Sequence, residues 1–338
     1  WKEKRVGDKR FDFSVDFGTT NTFVAYTDDP EHRTMPKPFD ISLNELQMVM
    51  LQHSPEARGG LSVTDSFWRN TGIAQLVKLL LANEFVPPVF LPGEAGSVFT
   101  MPFRTAVFQK KNINTFNLFS DLNVHFGYQK TIIDQNAIEW QEIIANLKWN
   151  VSSLGDLGAK YRVEKFIEEL CMLFKHKVLL NGGNPKLTRL NWFIPQSLSE
   201  ASIDLYEEIW VEKVFKVLKS EQRPKKVFES EAPYYFLERT GKIENSDAVL
   251  TIDIGGGSTD AMLFNNKTPL LGTSFNFAGN ILWSNGYNQL SNDAKDNGFY
   301  QKLHELLKAE IEKDPDLRRM IRAYEYKSTD EIINFWLA

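Results

Sequence analysis

The seven residues 11–17 alternate without a break. Phe11, Phe13, Val15 and Phe17 are apolar, while Asp12, Ser14 and Asp16 are polar. A period of two puts the apolar set on one face of an extended segment, which predicts a strand with one buried side. Gly18-Thr-Thr-Asn21 breaks the alternation and residues 22–27 resume it, so the pair reads as a β-hairpin. Apolar positions at helical spacing (Phe166, Leu170, Leu173, Phe174) predict a helix over 163–180, stopped by Gly182-Gly183. Further helices are expected over 43–52, 71–84, 137–149, 203–220 and 232–240, and in the tail from Phe299, broken at Asp314-Pro315. Strands are expected at 105–108, at 190–194 (closed by Pro195), at 248–254 as a buried type, and at 259–264. Strands and helices interleave, so the fold class is α/β.

Composition narrows the function classes. The 338 residues suffice for two domains, and 42% hydrophobic with 25% charged excludes wholesale disorder. A net charge of −5 carries no basic footprint, so no nucleic-acid partner is expected. One cysteine excludes a disulfide framework and a thiolate-rich zinc site; Cys171 falls among apolar helix positions and reads as core. Five scattered histidines without an HExxH pattern argue against a metalloenzyme. The apolar runs 73–82 and 86–91 are too short or interrupted for a bilayer, so no membrane association is expected. The chain opens on Trp1 with no secretory pattern, which reads as a piece of a longer or processed protein with a cytoplasmic default.

One echo carries chemistry. Ser14-Val-Asp-Phe-Gly-Thr-Thr-Asn-Thr22 and Thr251-Ile-Asp-Ile-Gly-Gly-Gly-Ser-Thr-Asp260 share one plan: a strand ends in Asp-x-Gly and turns through small or hydroxyl residues into the next strand. Glycine lets an oxyanion approach backbone amides, and Thr or Ser hydroxyls add donors. The aspartate before each turn suits Mg²⁺, which prefers carboxylate, water and phosphate oxygens. Two such hairpins facing each other would clamp a polyphosphate. An ordinary Gly turn explains either unit alone, but explains both together poorly. The GxxxxGK[ST] and GxGxxG patterns are absent.

On these residues the sequence resembles the ATPase superfamily of actin, the seventy-kilodalton heat-shock chaperones and the sugar kinases. Asp16-Phe-Gly-Thr-Thr-Asn21 is similar to its first phosphate motif, DxGTTxS. Asp253-Ile-Gly-Gly-Gly-Ser-Thr-Asp260 is similar to its second, DxGGGTxD, in the chaperone flavour. Weaker matches follow in order. They are Met101-Pro-Phe-Arg-Thr-Ala-Val-Phe108, Phe126-Gly-Tyr-Gln-Lys130, Asn146-Leu-Lys-Trp149, Trp192-Phe-Ile-Pro195, Glu229-Ser-Glu-Ala-Pro-Tyr-Tyr235 as the connecting motif, and Phe277-Ala-Gly-Asn280. The connecting motif departs from the family by having Pro233 where alanine is usual.

The resemblance implies a two-lobed fold with a ribonuclease-H-like core in each lobe. The first lobe would span 1–245 with an insertion at 28–98, and a partial second lobe 246–338. It implies ATP and Mg²⁺ as cofactors and slow hydrolysis coupled to lobe closure. Asp16 and Asp253 would anchor hydrated metal. Gly18, Thr19, Thr20, Asn21, Lys130, Gly255, Gly256, Gly257, Ser258, Thr259 and Gly279 would line the nucleotide. Glu229 or Asp260 would orient or polarise the attacking water, with Glu231 the alternate to Glu229. The family's later Gly-Gly turn, which builds the adenine pocket, has no match after Gly286, so weak or no ATP binding is expected of this chain. Three other readings stay open: a non-catalytic nucleotide sensor or scaffold, a small-molecule kinase, and an actin-like filament former. Protein partners are expected, with 28–98 a candidate surface.

Overall fold

The computed structural model describes residues 6–28, 30–31, 35–40, 101–110, 122–124, 141–151, 157–243, 248–283 and 298–322. The expected helices at 43–52 and 71–84 lie outside the described residues, as does the tail after 322. The chain divides into two compact units, Trp1–Phe275 and Asn276–Ala338.

The strands of the first unit are β1 (Asp12–Phe17), β2 (Asn21–Thr27), β3 (Lys37–Pro38), β4 (Phe103–Arg104), β5 (Ala106–Lys110), β6 (Leu122–Val124), β7 (Gln141–Ala145), β8 (Arg189–Ile194), β9 (Lys225–Phe228), β10 (Ala248–Ile254), β11 (Thr259–Asn265) and β12 (Thr268–Phe275). Its helices are α1 (Leu147–Asn150), α2 (Leu157–Leu180), α3 (Glu200–Lys213) and α4 (Ala232–Arg239). The second unit holds α5 (Gly279–Trp283), α6 (Phe299–Lys313) and α7 (Pro315–Arg322).

The main sheet runs β3-β2-β1-β8-β9, with β4 also on β2. β2 is antiparallel to β1, whereas β8 and β9 run parallel to it. Register sets Phe13 beside Tyr26 and Leu190, and Val15 beside Val24 and Trp192. All six are buried, so the alternation read along 11–17 becomes one apolar sheet face. Helices α2 and α3 cover it. The Phe13 ring stacks on Phe174 of α2 with centroids 4.5 Å apart, Phe17 lies 5.5 Å from Phe166, and Trp192 stacks on Trp210 of α3 at 6.1 Å. Each large apolar side chain buried this way contributes about 1.5–3 kcal/mol. The other face of β1 carries Asp12, Ser14 and Asp16, and Asn191 Nδ2 of β8 donates to Ser14 Oγ at 3.4 Å. Because β1, β8 and β9 are parallel, their carboxyl ends share one edge, where open α/β sheets bind ligands.

Strands β10, β11 and β12 form an antiparallel meander. Thr251 Oγ1 donates to the Ser230 carbonyl at 2.9 Å, which ties this meander to the segment after β9. β10 is not a strand buried on both faces, as its apolar run suggested. Leu250, Ile252 and Ile254 are 60%, 56% and 71% exposed, while Thr251 on the opposite face is buried. The third sheet, β6-β5-β7, is small.

Two helix expectations are corrected. Residues 141–145 are strand, not helix, because they ladder against β5 from Ala106↔Ala145 to Lys110↔Gln141. That distant pairing overrides local preference. Asn146, at φ 60, then turns the chain into the single-turn α1; asparagine tolerates this left-handed conformation better than most residues. The expected helix 203–220 begins earlier, at Glu200, where Ser199 Oγ accepts from Ser202 N. It ends in a wide π-type turn, Val214–Leu218. In the second unit the break at Asp314-Pro315 is observed: Asp314 is extended and its Oδ1 accepts from Asp316 N at 2.9 Å. No helix among the described residues is long and apolar enough to cross a membrane.

Candidate functional site

The first Asp-x-Gly turn is built tightly. A Cβ on Gly18 would collide with the Asn21 carbonyl, so the turn requires glycine. Thr19 is buried in it. The strand start at 103–105 braces the turn from the side: Thr105 N donates to the Thr20 carbonyl at 3.0 Å, and Arg104 Nη1 to Asn21 Oδ1 at 3.4 Å. The Thr22 and Thr105 hydroxyls bond at 2.7 Å.

The second turn joins β10 to β11, with Asp253 opposite Asp260 and Ile254 opposite Thr259. Gly255 N donates to the Ser258 carbonyl at 2.9 Å, which closes it. Gly256 and Gly257 form its tip, half-buried. Asp260 is buried, and both its oxygens are engaged: Ser258 Oγ donates to Oδ2 at 2.8 Å and Gln196 N to Oδ1 at 3.4 Å. Asp260 therefore clamps the second turn to the loop leaving β8.

The two turns meet. A Cβ on Gly257 would lie 2.5 Å from Thr19 Oγ1 and collide with Trp149 Nε1. Trp149, in α1, donates its indole N–H to Thr19 Oγ1 at 2.7 Å. Close by, Lys148 Nζ forms an ion pair with Glu229 Oε1, and both side chains are buried. Glu229 opens the 3₁₀ turn Glu229–Glu231 between β9 and α4.

Electrostatics join these groups into one site. Burial pushes the Glu229 carboxyl up to about 7; Lys148 opposes the shift, while Asp16 and Asp260 add to it. Burial also raises Asp16, with Lys148 lowering it and Asp253 raising it. The Asp16 side chain remains open to water at the end of β1. Burial raises Asp253 too, with Asp260 adding and Lys148 opposing. Among the described residues, Lys148 is thus the cation that acts on Asp16, Asp253 and Glu229 alike.

Of the residues singled out in the sequence, Asp16, Gly18, Thr19, Glu229, Asp253, Gly257 and Asp260 converge here. Thr20, Asn21, Gly255, Gly256, Ser258 and Thr259 belong to the same two turns. Lys130 lies outside the described residues, and Gly279 opens α5 in the second unit. Lys148 and Trp149 were missed as site residues, although the string Asn146-Leu-Lys-Trp149 was noticed. Among the described residues no three His, Cys, Asp or Glu side chains cluster as a metal cage.

No protein-family model matches the sequence, and no curated protein matches it. By structure the chain is similar to MreB5 of Spiroplasma citri bound to ADP, with 13% identity and a TM-score of 0.41 over 80% of this chain and 53% of that one. It is similar to the MamK double helical filament, with 16% identity and a TM-score of 0.41 over 80% of this chain and 56% of that one. It is also similar to the Aquifex aeolicus Ppx/GppA phosphatase, type II variant, with 9% identity and a TM-score of 0.32 over 90% and 63%. The chain spans a little over half the length of the MreB5 and MamK structures.

Proposed function

We propose that this chain is a nucleotide-binding module of the actin-like ATPase type, which grips the polyphosphate of ATP between its two Asp-x-Gly turns. The observation that carries the reading is the meeting of Thr19 and Gly257, from turns far apart in sequence, beside a buried Lys148–Glu229 pair. The module would comprise a first lobe, 1–245 with 28–98 inserted, and part of a second from 246.

The roles follow from the chemistry of each group. Backbone amides of both turns and the Thr19 hydroxyl donate to phosphoryl oxygens. Lys148 supplies positive charge beside them. Asp16 and Asp253 fit a hydrated Mg²⁺: a pair of carboxylates from the two turns suits an ion that keeps waters and takes its other oxygens from phosphate. Bound there, Mg²⁺ would neutralise phosphate charge. Glu229, its carboxyl pushed up to about 7, would act as the general base that takes a proton from water.

Binding without turnover is a second reading, favoured by one observation. Both oxygens of Asp260 are engaged and Glu229 is tied to Lys148, so the two candidate bases are each held in structural bonds. Calorimetric titration of the chain with Mg-ATP and with Mg-tripolyphosphate tests the shared premise. Binding of either that is lost in Asp253→Ala is the expected result. No heat with either, up to millimolar concentrations, would remove the reading. Phosphate release over hours, present in the wild type and absent in Glu229→Gln, separates hydrolysis from binding alone.

A further inference from the structure

The Thr19 hydroxyl has an unusual set of partners. Its oxygen accepts the Trp149 indole N–H at 2.7 Å, a short, well-formed bond. A hydroxyl also carries one proton of its own to donate, whereas an indole nitrogen can only donate. Among the described residues, no acceptor receives the Thr19 proton. Thr19 is 5% exposed, so this donor sits in a confined place, beside Gly257 of the other turn. A buried donor left without an acceptor costs free energy, and an anionic oxygen relieves that cost best.

Trp149 has a packing role as well, since it rests partly buried against the main core. Packing alone would be served by any aromatic ring. The indole nitrogen adds polarity. By occupying one lone pair of Thr19 Oγ1 with a donor, it prevents the hydroxyl from turning its proton inward. We propose that Trp149 is a positioning residue that fixes the Thr19 hydroxyl as a donor toward a phosphoryl oxygen, and so makes the first turn selective for a deprotonated anion. The proposal rests on the polyphosphate reading above. It adds to that reading a residue outside both turns and a direction for one hydrogen bond.

The test is calorimetric titration with Mg-tripolyphosphate, which probes the turns without an adenine pocket. Four proteins are compared: wild type, Trp149→Phe, Thr19→Val and the double variant. Trp149→Phe is expected to bind about tenfold more weakly, the scale of one charge-assisted hydrogen bond. Thr19→Val should lose at least as much, and the double variant should bind no worse than Thr19→Val, because both changes remove one shared interaction. If the phenylalanine variant fails to fold, 3-benzothienylalanine at position 149 keeps the bicyclic shape and lacks the N–H; the same tenfold loss is expected. Unchanged binding in that isostere or in folded Trp149→Phe, with the wild type binding, overturns this proposal alone. So does full additivity in the double variant. A wild type that does not bind at all overturns the polyphosphate reading and this proposal with it.

Discussion

The two hairpins carry the same order of aspartate, glycine and hydroxyl residues, but they are supported differently. β1 lies inside the main sheet between β2 and β8, with its whole apolar face sealed under α2 and α3. β10 lies at the edge of a three-stranded meander, and its Leu250, Ile252 and Ile254 face outward. The first turn is anchored because its strand is part of the core. The second is held by point contacts: Asp260 to Gln196 and Ser258, Thr251 to the Ser230 carbonyl, and Gly257 against Trp149. If the two turns act as the jaws of a clamp, as proposed above, one jaw is anchored in the core and the other is pinned by these contacts.

That contrast can be broken most severely in the core. Phe13→Ala under the first hairpin should cost about 3–5 kcal/mol, since Phe13 is fully buried and ringed by other aromatics. Ile252→Ala under the second should stay within about 0.5 kcal/mol. Urea unfolding of both variants measures the gap, and equal losses would contradict the asymmetry.

A second comparison lies within the second turn. Gly257→Ala drives a methyl group into Trp149 and Thr19, so tripolyphosphate affinity should fall at least tenfold. At Gly255 an added Cβ meets only the Ser258 carbonyl, at 3.3 Å, so Gly255→Ala should bind nearly as the wild type does. Titration calorimetry on the two variants decides whether the jaws work by contact. If the first binds normally, the tips do not need to meet.

The pH dependence concerns the charge between the jaws. The Glu229 carboxyl is raised above its ordinary value of 4.5 to about 7. Its protonated form is therefore favoured by folding. This group's contribution to stability is full below about 4.5 and is lost as pH rises through about 7. Glu229→Gln should flatten that fall in urea midpoints measured between pH 4.5 and 8. If the wild type hydrolyses ATP with Glu229 as base, its rate should climb over the upper part of the same range. A modest loss is expected at the pin itself. Ser258→Ala removes one of two hydrogen bonds to buried Asp260 and should cost about 1 kcal/mol, read as a small drop in the thermal midpoint.

What could be read from the sequence follows the range of the interactions. The first hairpin was legible because its alternation, its turn and its buried face lie within residues 11–27. The tail break at Asp314-Pro315 was legible for the same reason. Residues 141–145 were not, because only pairing with β5, more than thirty positions earlier, makes them extended. The open face of β10 was hidden too: apolar residues on both sides of a strand signal burial on both sides, and nothing local shows that one side is bare. At the site, the glycines and aspartates announced themselves by repetition. Lys148 did not, since its partner Glu229 stands 81 positions away. A weak motif match drew attention to Lys130 instead. Lys148 and Trp149 sit side by side in a helix of only four residues, too short for any periodicity to mark.

The edge of the main sheet has a consequence for how this chain can be rebuilt. β3 and β4 lie end to end along β2, opposite Ala25–Tyr26 and Asn21–Thr22, so they are two pieces of one edge strand. Only Phe23 and Val24 separate their pairing positions, a gap of about 10 Å at roughly 3.3 Å per residue. The described chain reaches that gap at Phe39, whose N donates to the Val24 carbonyl at 2.8 Å, and it is described again from Met101, whose Sδ accepts from Val24 N at 3.3 Å. The first of these ends is fastened by Lys177 Nζ, which binds the Asp40 carbonyl at 2.9 Å and its carboxylate at 3.0 Å. Loop length costs little once the ends are fixed, because closure entropy grows only with its logarithm. The position is therefore a socket. A short glycine-serine bridge, or a foreign domain whose ends lie close together, should be exchangeable for residues 41–100 while the jaws, their aspartates and the Lys148–Glu229 pair keep their places.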